Sequence, residues 1–188
     1  MELHSKDRFK KVDITDVAIK KIPFIQYKGL TREQNEVLYD LARATLLRAK
    51  TENNSDEVAF VVDLDNPESD QGYVKGDEHG VDIDADSTSY HLQRAGMKTA
   101  IIHNHPSTQT LSIQDIRLFL HHDPVIYIVV ISNQGTVHYL MKDKNYDFYA
   151  AEKLRAECCT GLKKDVKEHY RAALDFLTHC SEVGLFYQ

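Results

Sequence analysis

An apolar run from Lys98 to His103 leads straight into the string His103-Asn104-His105-Pro106, and this junction restricts the fold more tightly than any other part of the chain. In extended backbone, side chains alternate between faces, so His103 and His105, two apart, project to the same side. Pro106 cannot donate to a ladder and ends the strand. The segment Ser107 to Leu111 then turns the chain back, and Ser112 opens a helix, Ile113 to His122, whose first turn carries Asp115. A strand end and a helix start must lie side by side, which calls for an α/β fold.

The remaining patterns agree with that class. Thr31 and Gln34 form a capping box before Val37, Leu38, Leu41, Ala44 and Leu47, so a helix is predicted to about Lys50. Val58 to Leu64 is valine-rich and short, the mark of a buried strand, with Glu57 at its start. The Gly- and Asp-rich stretch Asp65 to Ser89 offers edge strands around Gln71 to Lys75 and Val81 to Ile83, and Tyr90 to Ala95 reads as a short helix ending at Gly96. Val125 to Ile131 and Thr136 to Met141 make a hairpin around Asn133-Gln134-Gly135. From Tyr146 onward, two helices are separated near Thr160-Gly161.

The expected architecture is a mixed, largely antiparallel sheet flanked by helices. Residues 1–30 read as an extended N-terminal segment lying on the main body, residues 31–144 as the domain that carries the His103–Asp115 string, and residues 145–188 as a helical C-terminal extension. That extension is expected to cap the domain, bind a partner or mediate self-association.

Composition narrows the partners. A formal charge of -6, with Lys and Arg scattered along the chain, provides no general attraction to phosphate backbones, so nucleic acid is not the expected partner. The basic cluster Lys6 to Lys11 is diluted by Asp7 and Asp13 and reads as a solvated terminal segment. No signal peptide or membrane-spanning run is legible, and three cysteines without a disulfide spacing suit a reducing compartment, so a cytoplasmic protein is expected.

Two neutral imidazoles, a carboxylate and an open position for water suit zinc better than magnesium or calcium, which prefer oxygen donors. The plain reading stands beside this one. Ten histidines produce some close pairs by chance, and Ser112-Ile113-Gln114-Asp115 is also an ordinary capping-box helix start.

The combined string His103-Asn104-His105-Pro106-Ser107, followed by Ser112-x-x-Asp115, resembles the signature of the JAMM (MPN+) zinc metalloprotease superfamily, in particular its RadC-like bacterial branch. The resemblance spans roughly Asp56 to Lys142 and leaves both ends of the chain unexplained. It departs from the usual pattern in the loop before Ser112, which is one residue short. It implies a JAMM-like fold, zinc held by His103, His105 and Asp115, and a glutamate at the start of an upstream strand that handles the proton of the activated water. Glu57 matches that glutamate, whereas Glu52 lies in a polar linker and Glu68 in a turn-rich loop.

The resemblance further implies hydrolysis of a peptide or isopeptide bond, with a ubiquitin-like conjugate or tail as substrate, and with Ser112 donating to the developing oxyanion. Two alternatives from other classes are a RadC-like metal-binding module in a DNA-associated or mobile-element role without hydrolysis, and a toxin or effector enzyme. Other clusters carry less. His121-His122 suit a helix C-terminus, and Cys158, Cys159 and Cys180 read as helical thiols. Asp82 to Asp86 resemble a calcium loop but lack its glutamate, since position 93 is Gln93.

Overall fold

The apolar strands alternate between two separate cores, and that alternation organises the molecule. In β1 (Val58–Asp63), Val58, Phe60 and Val62 face one helical layer, while Ala59 and Val61 face another. β3 (Thr99–His105) and β4 (Val125–Ser132) repeat the division, with Ile102, Val129 and Ile131 on the first side and Ile101, Ile128 and Val130 on the second. A strand covered on both faces reads as one continuous apolar run.

The computed structural model describes residues 10–67, 71–84, 86–93, 96–163 and 165–188. Six strands form one sheet in the order β2-β1-β3-β4-β5-β6, with β2 (Gln71–Lys75), β5 (Val137–Lys142) and β6 (Leu185–Tyr187) completing it. All neighbours are antiparallel except β3 and β4, which pair in parallel across a helical crossover. The architecture is thus α/β with a mixed, mostly antiparallel sheet.

On the first face lie α1 (Asp16–Lys21) and α2 (Arg32–Glu52). The Thr31–Gln34 capping box is formed, and Leu38, Leu41, Leu46 and Ala49 of α2 are buried. Full burial of one such leucine contributes roughly 1.5–3 kcal/mol. On the second face, α4 (Ile113–His121) buries Ile113, Ile116, Phe119 and Leu120. α5 (Phe148–Cys158) adds Ala151 there, and α6 (Val166–His179) adds Ala173, Phe176 and Leu177. α3 (Asp86–Gln93) places Leu92 in the same core. Among the described residues no helix is long and apolar enough to cross a membrane.

Several local expectations are corrected. Residues 1–30 are not extended throughout, because α1 forms behind the Thr15 cap, with Ala18 and Ile22 buried one turn apart. A six-residue helix holds too few turns for its period to stand out. Val81 to Ile83 is no strand. On either side of it the chain turns: the Asp77 carboxylate accepts the N–H groups of His79 and Gly80, and Asp82 accepts that of Asp84.

The short helix near Tyr90 starts earlier, at Asp86, and its expected end at Arg94 and Ala95 lies outside the described residues. So do Glu68 and most of the Lys6 to Lys11 cluster. The final segment holds a strand as well as helices: β6 pairs with β5 through Leu140 and Tyr187. Three residues are too few for a period of two to register.

The β4–β5 hairpin closes as expected. Gly135 has φ +85°, and a side chain there would meet the Ala18 carbonyl at 2.3 Å, so both conformation and space require glycine.

Candidate metal centre

His103 and His105 sit at the end of β3 on the side of Ile101, and both are buried. β3 is central, with His103 paired to both β1 and β4 and His105 paired to β4. Asp115 is the third residue of α4, where the positive helix end favours its negative charge. The Nε2 atoms of His103 and His105 are 3.1 Å apart. Asp115 Oδ1 lies 3.3 Å from His103 Nε2, and Oδ2 lies 3.2 Å from His105 Nε2.

These spacings test the fit of a metal. With bonds of about 2.0–2.1 Å, two ligands on a tetrahedral zinc stand about 3.3 Å apart. Among the described residues this trio is the one group whose donor atoms, all within 4.8 Å of one another, are arranged to hold an ion. Two imidazoles and one carboxylate are donors of the kind that suit zinc. His103 Nδ1 is buried without a hydrogen-bond partner, so the polar contacts of that ring are made through Nε2, toward the trio.

Electrostatics mark the same spot. Burial pushes the Asp115 carboxyl upward, but the charges and hydrogen bonds of His103 and His105 outweigh it and hold the group well below the usual range. Burial pushes His105 down, yet Asp115, Glu57 and a hydrogen bond to the Thr110 backbone bring it up to about 9.

Glu57 enters from β1. The β1–β3 ladder ends with Ala59 opposite His103, and Glu57, two residues before Ala59 and so on its face, lines the same groove as His105 and Asp115. Its backbone is tied by Asp77 C=O at 3.0 Å, Gly76 N–H at 2.8 Å and Asn53 Nδ2 at 2.8 Å. Burial pushes its carboxyl up to about 7, against the pull of His105 and His103. Glu52, the nearby rival, closes α2 and pairs with Lys75 at 3.4 Å.

The turn before Glu57 is under strain. Asn54 and Ser55 have φ of 50° and 61°, left-handed conformations of order 1–3 kcal/mol each. A buried network holds them. Asn104, between the two histidines, points to the opposite face, where its Oδ1 accepts the Val58 N–H at 2.9 Å and its Nδ2 donates to Asp56 C=O and to Asn133 Oδ1. Asn133 Nδ2 donates in turn to the carbonyls of Ser55 and Val12, both at 2.8 Å, and its N–H to His105 C=O. Sequence reasoning named Asn104 only as part of the motif and missed the role of Asn133. A polar residue alternating with ligands on an otherwise apolar strand was the signal for the first.

Ser112 caps α4 and lines the same groove as Glu57, His105 and Asp115. The groove, about 940 Å³, is walled by His79, Val81 and Ile83 on one side and by Val166, His169 and Tyr170 on the other. The structure therefore brings together all five residues singled out in the sequence.

The other clusters stay apart from it. His121 and His122 end α4, paired with Glu152 at 3.5 Å and Asp84 at 3.2 Å. Burial raises the thiols of Cys158 and Cys180 to about 11, the opposite of what a nucleophile requires. No family model, curated protein or solved structure matches the chain.

Proposed function

We propose that this chain is a JAMM-type zinc hydrolase that cleaves a peptide or isopeptide bond, with a ubiquitin-like conjugate or tail among its substrates. One observation carries the reading: two histidines and an aspartate stand at zinc-like spacing, and His105 and Asp115 of that trio line an open groove together with a buried glutamate, Glu57. Zinc held by His103, His105 and Asp115 supplies a Lewis acid that acidifies water and polarises a carbonyl.

The chain's own groups do the remainder. Glu57, with its carboxyl near neutrality, is poised to take a proton from water and return it to the leaving amine. The Ser112 Oγ accepts the Asp115 N–H, which leaves its hydroxyl hydrogen free to donate toward an oxyanion in the groove. The apolar walls offered by Val81, Ile83, Val166 and Tyr170 suit the side chains of a polypeptide. The free thiols of Cys158, Cys159 and Cys180 support placing the protein in the cytoplasm.

The test is metal analysis of the purified protein, followed by assay on a panel of ubiquitin-like conjugates and peptides. One zinc per chain, with hydrolysis lost to a chelator and restored by zinc, is expected. Failure to take up zinc sinks the reading, and zinc without turnover on any member of the panel favours a binding module instead.

A further inference from the structure

The loop from Ser107 to Leu111 joins the two halves of the trio, with His105 before it and Asp115 after it. Its end is firmly held. Thr110 and Leu111 are buried, and the Thr110 Oγ1 lies 2.8 Å from the Tyr187 hydroxyl. Tyr187 belongs to β6, at the far edge of the sheet and 77 residues away in sequence. Its hydroxyl also reaches His138 Nδ1 at 3.2 Å, and the two rings stack at 5.9 Å with planes 16° apart. Neighbouring Gln188 is laddered to Tyr139 in both directions, which fixes the strand carrying the phenol.

We infer that Tyr187 is a positioning residue for the metal centre: its hydroxyl pins Thr110, and through Thr110 the loop that sets His105 against Asp115. The inference rests on the zinc reading above. Thr110 stands midway on the loop that joins His105 to Asp115, so a shift of the loop reaches both residues. Outer groups that orient ligating histidines typically alter metal affinity by about 10–100-fold. The stacked ring of Tyr187 survives replacement by phenylalanine, so Tyr187→Phe removes the hydroxyl contacts alone.

Co2+ and Zn2+ binding by the full chain tests this, read from the visible absorption of bound Co2+ and from competition with a chromophoric chelator. Tyr187→Phe and Thr110→Val are each expected to weaken binding about tenfold and to alter the Co2+ spectrum. The double variant should be no weaker than either single one, and Thr110→Ser should bind as wild type. Leu185→Ala, which loosens β6 without touching the hydroxyl, should lower Tm and leave affinity intact. Wild-type affinity in Tyr187→Phe overturns the inference, as does an equal affinity loss in Leu185→Ala. A wild-type chain that binds neither metal fails the zinc reading itself, an outcome distinct from a binding wild type beside an indifferent Tyr187→Phe.

Discussion

Ser112 and Asp115 hold each other: the Ser112 N–H donates to Asp115 Oδ2 at 2.6 Å, and the Asp115 N–H donates to Ser112 Oγ at 3.1 Å. The same carboxylate faces both histidines. The carboxylate that closes the helix cap is therefore also the one turned toward the two histidines, and the two readings that the spacing left open are compatible. The cap orders that carboxylate in advance, so less ordering would remain for a metal to impose.

Ser112→Ala separates the two roles of the serine. Loss of the cap is expected to lower stability by about 1 kcal/mol in urea unfolding, with zinc content unchanged. Turnover should fall about 100-fold if the hydroxyl meets the oxyanion. Unaltered turnover reduces Ser112 to a cap.

Glu57→Gln retains the shape of the side chain and removes the base. Zinc content should stay at the wild-type level while hydrolysis drops by about 100-fold or more. Metal analysis paired with rate measurement checks both halves, and undiminished hydrolysis removes Glu57 from the mechanism.

Asn104→Leu tests the network behind the site. It leaves the Val58 N–H, the Asp56 carbonyl and Asn133 short of partners in a buried place. At roughly 1–3 kcal/mol for each orphaned group, a loss of about 3 kcal/mol or more is expected from urea midpoints. The strained Asn54–Ser55 turn should relax with it, so activity should fall further than metal content.

Lys142 gives a pH dependence. Its ammonium lies 4.9 Å from the Phe119 ring and 5.1 Å from that of Tyr146, and burial pushes its pKa from the ordinary 10.5 down to about 8. The unfolded chain therefore binds this proton more tightly than the folded one between those values. Stability rises with pH across that window, and the charged lysine is a burden below it. Lys142→Met removes the buried charge but also its 2.8 Å hydrogen bond to the His122 carbonyl, so the checkable expectation is that the rise in stability between pH 8 and 10.5 flattens. Urea unfolding at several pH values decides the matter.

Much of the sheet was legible because its signals are short-range. β1, β3 and the β4–β5 hairpin carry apolar runs with a proline or an Asn-Gln-Gly turn at their ends, and α2 and α4 carry capping boxes. The misses have two causes. α1 and β6 are too short for a period to show, and Val81 to Ile83 lies between turns closed by Asp77 and Asp82.

The sequence by itself determined the same-face histidine pair and the cap, since His103 and His105 are two residues apart on one strand and Ser112 and Asp115 three apart in one helical turn. Such spacings are geometry of the local backbone. Only the tertiary structure decided that Glu57 shares a groove with His105 and Asp115, that Asn104 braces the turn before Glu57, and that Tyr187 contacts Thr110. Those relations depend on strand order and register across tens of residues, set by packing of two cores that no local pattern encodes.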